Sequence, residues 1–480
     1  MRFVMKFGGT SVGDAEAILN AIRIVKDYLQ KGNEVVVVTS ALAKVTDELT
    51  EISQRAVEGN LEATGEFIQK HLKKHTEVAR ACIHGEDHLR KVLDELDETM
   101  RELSGILKSI ARLKELTVRS KDYLLSFGER LSAPILWGAA RDLGLKAQWF
   151  TGCDTGITTD ENFGEANPLM DITVRNVKAK LEPIIAKGEL PIIAGYGACS
   201  PHGVSTTLGR GGSDYTATLI GAALDADEVL IWKDVEGLMT ADPKIEPNAK
   251  VLHRMSYAEA SEMAYFGAKA IHPRALQPVI NKQIPVRIRS SFELNNEGTL
   301  IAGDREVKTD GVVKAVTVVD RVAMISVTGA GMAGLPGVAA KVFKVMGDAD
   351  INILMISQSS SEAGISLVVP RDKLLRAKNS LELGLLGTEL VKDIVTEDDV
   401  CIVAAVGAGM KGSRGVAARV FKAVADRGVN VRMIAQGSSE LNISFIVAEE
   451  DGPKAIRALH DELDSTQSNS RLTEFHSYYG

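Results

Sequence analysis

The final third of this 480-residue chain repeats itself. Shifted by 78 positions, so that 322 meets 400, residues 322–369 align with 400–447 without a gap, and about half of the paired residues are identical. Each copy reads as a strand (322–327; 400–406), a glycine turn, a helix (338–346; 416–425), a second strand (351–356; 429–434) and a third (365–369; 443–447). With a trailing helix this is a small split βαβ unit. One such unit leaves a sheet face and its edges uncovered, so duplication predicts that the copies pack as a pair.

The turn of each copy carries a pattern that can mislead. Gly329-x-Gly331-x-x-Gly334 follows a strand and opens a helix, with Asp348 and Asp350 downstream, and Gly407, Gly409 and Gly412 repeat the spacing. Alone, it matches a dinucleotide-binding turn. The next copy begins too soon for a third parallel strand, so a tight strand-to-helix turn is the better reading. Its helix N-terminus could still hold a carboxylate through free N–H groups.

The first 300 residues have another character. Short β-branched runs at 35–38, 146–150, 190–194, 228–232 and 285–289 alternate with helical patterns, which predicts a mostly parallel sheet covered by helices. Between 61 and 121 the pattern becomes charged and amphipathic without a strand, as expected of a helical insertion. The composition is globular, with 45% hydrophobic residues, 25% charged and 43 glycines, which argues against disorder. A net charge of -8 disfavours nucleic acid or an anionic membrane as partner and favours a small molecule. Cys82, Cys153, Cys199 and Cys401 form no C-x-x-C pair, so reduced thiols are expected rather than a zinc cage or a disulfide framework. The chain opens directly on strand-like Arg2 to Phe7, and no apolar run is long enough to span a bilayer, which predicts a cytoplasmic, membrane-free protein.

Several short runs carry candidate chemistry. Lys6-Phe7-Gly8-Gly9-Thr10-Ser11 sets a lysine at a strand end before two glycines, which fits a phosphate cradle or a plain glycine turn. It is not a Walker A loop, because the lysine precedes the glycines. In Thr207-Leu208-Gly209-Arg210-Gly211-Gly212-Ser213-Asp214-Tyr215 the glycines allow close backbone approach and Arg210 offers a bidentate fork. Helix capping by Ser213 or Asp214 would not explain an arginine between glycines, so an anion site is favoured. Trp232-Lys233-Asp234-Val235-Glu236-Gly237 ends a strand with a charged loop, where open α/β sheets bind ligands, and Asp242-Pro243-Lys244 continues it. Glu129, in Ser126-Phe127-Gly128-Glu129-Arg130, reads by itself as an ordinary solvated charge.

Taken together, these runs, with Leu131-Ser132 and Phe266-Gly267-Ala268-Lys269-x-x-His272-Pro273, resemble the aspartate kinases almost end to end, and the repeat resembles that family's paired ACT domains. The resemblance implies an amino-acid-kinase fold over 1–305, with ACT domains at 318–394 and 395–475. It implies ATP and L-aspartate as substrates, 4-phospho-L-aspartate and ADP as products, and Mg²⁺ bridging the phosphates, with no protein metal ligands assigned. Such a reaction opens the route to lysine, threonine, methionine and isoleucine. Lys6 and Lys269 would hold the transferring phosphates, with Gly8, Gly9 and Ser40 along their path. Arg210 would clamp the α-carboxylate of aspartate, Glu129 and Asp214 would meet its ammonium, and Thr46 and Ser213 would complete the pocket. Lys233, Asp234, Met239, Asp242 and Lys244 would surround the nucleotide, although Lys233, Met239 and Lys244 stand where the family usually has threonine, tyrosine and arginine. Tyr196-Gly197 likewise departs from the usual phenylalanine-isoleucine.

Paired ACT domains imply feedback by an end-product amino acid. Asn352, Ile353, Gln358, Asn430 and Gln436 are the effector candidates, and the two glutamines suit a neutral polar side chain, which favours threonine over lysine. Gly364 stands where the second copy has Asn442, so the copies need not be equivalent. A homo-oligomer, dimer or dimer of dimers, is implied, and no homoserine dehydrogenase domain is expected.

Overall fold

A computed structural model describes residues 1–267, 271–303, 312–386 and 390–463. The chain divides into two compact units: 1–238, 253–257 and 269–307 form one, and 239–252, 258–268 and 308–480 the other. This division follows no single cut in the sequence.

The first unit is built on eight strands: β1 (Arg2–Phe7), β2 (Glu34–Thr39), β3 (Ala147–Phe150), β4 (Leu190–Ala194), β7 (Glu228–Lys233), β8 (Arg254–Ser256), β9 (Val286–Ser290) and β10 (Thr299–Ala302). They lie in the order β3-β4-β2-β1-β7-β9-β10-β8, parallel except that β10 runs against β9. A separate ribbon pairs β5 (Gly197–Cys199) with β6 (Ser205–Thr207). The central strands carry near-continuous apolar runs, as in Val35-Val36-Val37-Val38, because helices cover both faces of a parallel sheet. Those helices include α1 (Ala15–Gln30), α6 (Phe127–Asp142), α8 (Met170–Ala186), α9 (Gly212–Ala223) and α11 (Pro273–Ile280). Residues 45–125 hold α2 (Val45–Val57), α3 (Leu61–Cys82), α4 (Glu86–Leu113) and α5 (Val118–Leu125) with no strand between them, and α4 joins the main core through Leu96, Met100, Leu103 and Leu107.

The expectation of four reduced thiols needs correction. Cys153 lies in the short helix α7 (Gly152–Thr155) and is disulfide-bonded to Cys199 at the end of β5, with Cα atoms 5.1 Å apart. Their 46-residue separation hides the pairing, but β3 and β4 are parallel neighbours, so the segments leaving their C-terminal ends meet. Cys82 and Cys401 remain free and buried, and burial pushes both thiols up to about 12.

In the second unit the duplicated copies share one six-stranded antiparallel sheet, β12-β13-β11-β14-β16-β15. Its strands are β11 (Ala315–Thr328), β12 (Met355–Gln358), β13 (Gly364–Pro370), β14 (Asp393–Val406), β15 (Met433–Ala435) and β16 (Asn442–Ala448). The 78-residue offset holds in the structure: β11 maps onto β14, and α12 (Val338–Asp348) onto α14 (Val416–Asp426). The first strands are at least twice the expected length because β11 and β14 pair with each other. Ala315 to Val319 run beside Ile402 to Val406 and pack in the second copy's core, across a register shift marked by Arg321 at φ +56°. Strands expected at 351–356 and 429–434 begin later, at Met355 and Met433, since the residues leaving each helix must first reach the sheet edge. The first copy ends with α13 (Leu374–Leu385).

The 239–252 and 258–268 segments have real anchors in this unit. Ala241, Ile245 and Ala249 join the second copy's core, and Thr240 bonds His460 Nε2 at 2.9 Å. In α10 (Tyr257–Tyr265), fully buried Glu259 accepts from Lys314 Nζ at 2.9 Å and from the Ala408 N–H at 2.8 Å, while Asn442 donates to Glu262. No described helix is long and apolar enough to cross a membrane.

Candidate active site

The first sheet reverses its winding at β1: β2 lies on one side and β7 on the other. Ligands of open α/β sheets bind outside the strand C-termini at such a point. There the structure has a cleft of about 650 Å³ whose lining includes Lys6, Gly9, Ser40, Thr46, Glu129, Tyr196, Arg210, Ser213, Asp214 and Lys233.

Close backbone approach shapes this cleft. The Gly8 N–H bonds the Trp232 carbonyl at 2.9 Å, which ties the ends of β1 and β7 together. A Cβ on Gly128 would sit 2.7 Å from that of Ala41, and one on Gly195 would sit 2.9 Å from that of Ser213. Neither position has room for a side chain, so α6 and α9 reach the strand ends only through glycine. Ser132 Oγ donates to the Ser40 carbonyl at 2.7 Å, which holds the β2 exit against α6.

Charge is concentrated on the floor. Lys6 Nζ lies 2.6 Å from Asp214 Oδ1, and Lys233 Nζ lies 2.9 Å from Oδ2. Lys6 and Asp214 are both buried. Burial opposes ionisation of Asp214, but the two lysines outweigh it and hold the carboxyl down at about 2. Burial also lowers the Lys6 pKa, with Lys233 adding to the effect and Asp214 opposing it. Two ammonium groups on one carboxylate leave excess positive charge, which suits phosphate oxygens.

Glu129 faces this cluster from the first turn of α6. Burial pushes its carboxyl up to about 7, partly offset by hydrogen bonds from the Ala41 and Glu129 N–H groups and Ser213 and by the charge on Lys6. Ser213 Oγ donates to Glu129 Oε1 at 3.3 Å, while buried Oε2 has no hydrogen-bond partner among the described residues. An incoming cationic donor would satisfy that oxygen. Arg210 sits exposed between Gly209 at φ +75° and Gly211 at φ +72°. Both φ values lie where side chains are strained, so the loop that presents Arg210 depends on glycine.

Most of the sequence candidates converge. Lys6, Gly9, Ser40, Thr46, Glu129, Arg210, Ser213, Asp214 and Lys233 line one cleft, with Gly8 beside it. Asp234 is exposed just beyond β7 and is not among the lining residues. Met239, Asp242 and Lys244 belong to the second unit, where Asp242 caps a turn by accepting from the Lys244 N–H at 2.9 Å. Lys269 lies outside the described residues. Lys44 and Lys121 line the cleft without having been singled out, as neither belongs to a glycine-rich run.

Among the effector candidates, Gln358 lines a hollow of about 600 Å³ on the ACT sheet, with Ser326, Ser357, Ser359, Ser366 and Arg432. Asn352, Asn430 and Gln436 are exposed and Ile353 is half-buried, and none of the four is among its lining residues.

The amino acid kinase family model matches residues 1–290, and the ACT domain model matches 325–383 and 403–463. Aspartokinase 1, chloroplastic, of Arabidopsis thaliana is 34% identical over 480 residues, covering 98% of this chain and 81% of that protein. A bifunctional aspartokinase/homoserine dehydrogenase of the same plant is 34% identical over 96% of this chain, which spans about half the length of that relative. Among solved structures, E. coli aspartokinase III in complex with aspartate and ADP superposes with a TM-score of 0.83 at 27% identity, covering 96% of this chain and 100% of that one. The same enzyme with lysine and aspartate gives 0.76 at 28% identity, covering 96% and 99%. The chain thus belongs to the amino acid kinase family, and within it to the aspartokinases that carry paired ACT domains.

Proposed function

We propose that the protein transfers the γ-phosphoryl group of ATP to the side-chain carboxylate of L-aspartate, giving 4-phospho-L-aspartate and ADP. One observation carries this reading: the Lys6–Asp214–Lys233 cluster, the partnerless Glu129 oxygen and the exposed Arg210 share a single cleft. That set matches phosphate oxygens, an ammonium and a carboxylate, the charges the two substrates bring together.

The acceptor carboxylate is ionised at neutral pH and needs no general base. Its oxygen attacks the γ-phosphorus, and the bond to the β–γ bridging oxygen breaks, leaving its electrons on ADP. Catalysis is then positioning and charge neutralisation. Lys6 and Lys233 stabilise the transferring phosphoryl group, Arg210 holds the α-carboxylate, and Glu129 with Asp214 receives the ammonium. Thr46 and Ser213 close the aspartate pocket. Gly8, Gly9 and Ser40 line the phosphate path, and Lys269 is assigned to it by the family resemblance. Mg²⁺, carried in with ATP, would supply further charge neutralisation. Asp234, Met239, Asp242 and Lys244 are assigned to the nucleotide on the same resemblance, and the lysine at 244 offers a point charge where arginine would offer a planar fork.

The effector assignment is part of this proposal. Hydroxyls, Gln358 and one cation, Arg432, line the ACT hollow, and these suit a neutral polar side chain, so threonine is favoured over lysine. A cytoplasmic homo-oligomer in the route to lysine, threonine, methionine and isoleucine completes the reading.

An ATP-dependent hydroxamate assay with aspartate, glutamate and acetylglutamate side by side tests the reaction. Aspartate is expected to be the best acceptor, and preference for another would refute the assignment. Titrating the aspartate reaction with threonine and lysine separately tests the effector. Inhibition by lysine with no response to threonine would reverse that choice.

A further inference from the structure

Asp122 lies on α5, outside the cleft and outside every run that pointed to the reaction. It is 1% exposed, and acceptor bonds occupy its carboxylate. Oδ2 takes the Gly164 and Thr207 N–H groups, each at 2.9 Å, and Oδ1 takes the Thr207 hydroxyl at 2.8 Å. No described lysine, arginine or histidine forms an ion pair with it within salt-bridge distance. Burying a carboxylate is costly unless it is hydrogen-bonded, so these three bonds hold the segments that supply them to α5.

Those segments lead to the substrate groups. Thr207 ends β6, three residues before Arg210, and is itself fully buried. Its carbonyl accepts from the Ala166 N–H at 3.0 Å, and the next residue, Leu208, donates to the Tyr196 carbonyl at 3.0 Å. Glu165, in the same loop as Gly164, lies where a Cβ on Gly209 would meet it at 3.0 Å. On the other side, α5 runs directly into α6, which carries Glu129. Arg210 itself has no ion pair or hydrogen bond among the described residues, so its place is set by the backbone that presents it.

We propose that Asp122 is a positioning residue that tethers the 207–211 loop to α5 and thereby sets Arg210 against Glu129 for recognition of the amino-acid substrate. This rests on the aspartate-kinase reading for the identity of that substrate, but the tether itself does not. Because it acts on the amino-acid side of the cleft, its loss affects one substrate and spares the other.

Asp122→Ala, Asp122→Asn and Thr207→Val, made in the full chain, provide the test. The asparagine can still accept both N–H groups through its oxygen and donate to the Thr207 hydroxyl, so it should rescue most of the loss. The expected result is a KM for aspartate raised ten-fold or more in Asp122→Ala, three- to ten-fold in Thr207→Val and less than three-fold in Asp122→Asn. The KM for ATP and kcat should stay within about three-fold in all three. A merely structural role would lower the melting temperature and the active fraction without separating the two KM values. Equal changes in both KM values, or no change in the aspartate KM, would overturn the proposal.

Hydrogen–deuterium exchange on the substrate-free proteins reads the tether without any turnover. The 205–212 amides should exchange faster in Asp122→Ala and Thr207→Val and at nearly the wild-type rate in Asp122→Asn. Unchanged exchange in both tether-breaking variants would overturn it. Wild-type protein inert towards aspartate would count against the aspartate-kinase reading, while the exchange data would still judge the tether. If Asp122→Ala does not fold, Thr207→Val with Asp122→Asn carries both comparisons.

Discussion

Glu129 shows how burial turns a common residue into a site. In sequence it is one acid in a helical pattern; folded, its carboxyl is pushed up to about 7 and keeps one oxygen without a partner among the described residues. Well below pH 7 it is neutral and cannot balance a substrate ammonium; above, it is ionised and can. The kcat/KM for aspartate should therefore rise as pH climbs through about 7, and Glu129→Gln should flatten that rise at a low value. Asp214, held at about 2, stays ionised across the range and contributes no such limb. In the proposed reaction Lys6 meets phosphoryl charge, and Lys6→Met keeps the side-chain bulk while removing the cation. Its kcat should fall about 10²- to 10³-fold, the range for losing one preorganised electrostatic partner. A kcat within ten-fold of wild type would remove Lys6 from the assigned role. Lys6 was legible because it stands at a strand end before glycines. Asp122 was not, although an acid followed by Tyr123-Leu124-Leu125 was a usable signal of a buried carboxylate.

At the scale of elements, glycine decides how closely the helices approach the strands. Gly211 caps α9 at φ +72°, and a Cβ there would meet the His272 Cβ at 2.5 Å. Gly211→Ala should cost about 1–2 kcal/mol from the left-handed conformation alone, with a further steric loss. Because the same residue follows Arg210, the aspartate KM should rise along with the drop in melting temperature. The parallel strands of the first unit were readable because both of their faces are buried, which writes continuous apolar runs. The length of β11 and β14 was not, since it arises from pairing between the two copies. A strand that gains a partner at each half can extend beyond its own module.

For the whole molecule, the least expected result is that 239–252 and 258–268 belong with the ACT sheet. The buried Lys314–Glu259 pair helps to secure that arrangement. Lys314→Met should cost about 3–5 kcal/mol by removing a charged partner from the buried Glu259 carboxylate, and adding Glu259→Leu should recover much of it. Urea unfolding of the single and double variants would measure both, and a double variant no better than the single would show that the pair is not the source of the loss. A chain ending at residue 305 should be markedly less stable than the full chain, because Ala241, Ile245 and Ala249 would lose the core they pack in. Thermal melts would compare the two, and equal stability would contradict that expectation.

The duplication first detected by a 78-residue shift survives as a pseudo-symmetric sheet, element for element. Local signals determined that much by themselves: period-two and period-3.6 patterning, glycine turns, and lysine or arginine beside them, all of which act over a few residues. Only the tertiary structure decided which charges share the cleft, that Glu129 is buried there, that Cys153 meets Cys199, and that mid-chain segments join the C-terminal unit. Each of those depends on contacts between residues distant in the chain; the burial that sets the pKa of a carboxyl and the proximity that pairs two thiols exist only once those contacts form.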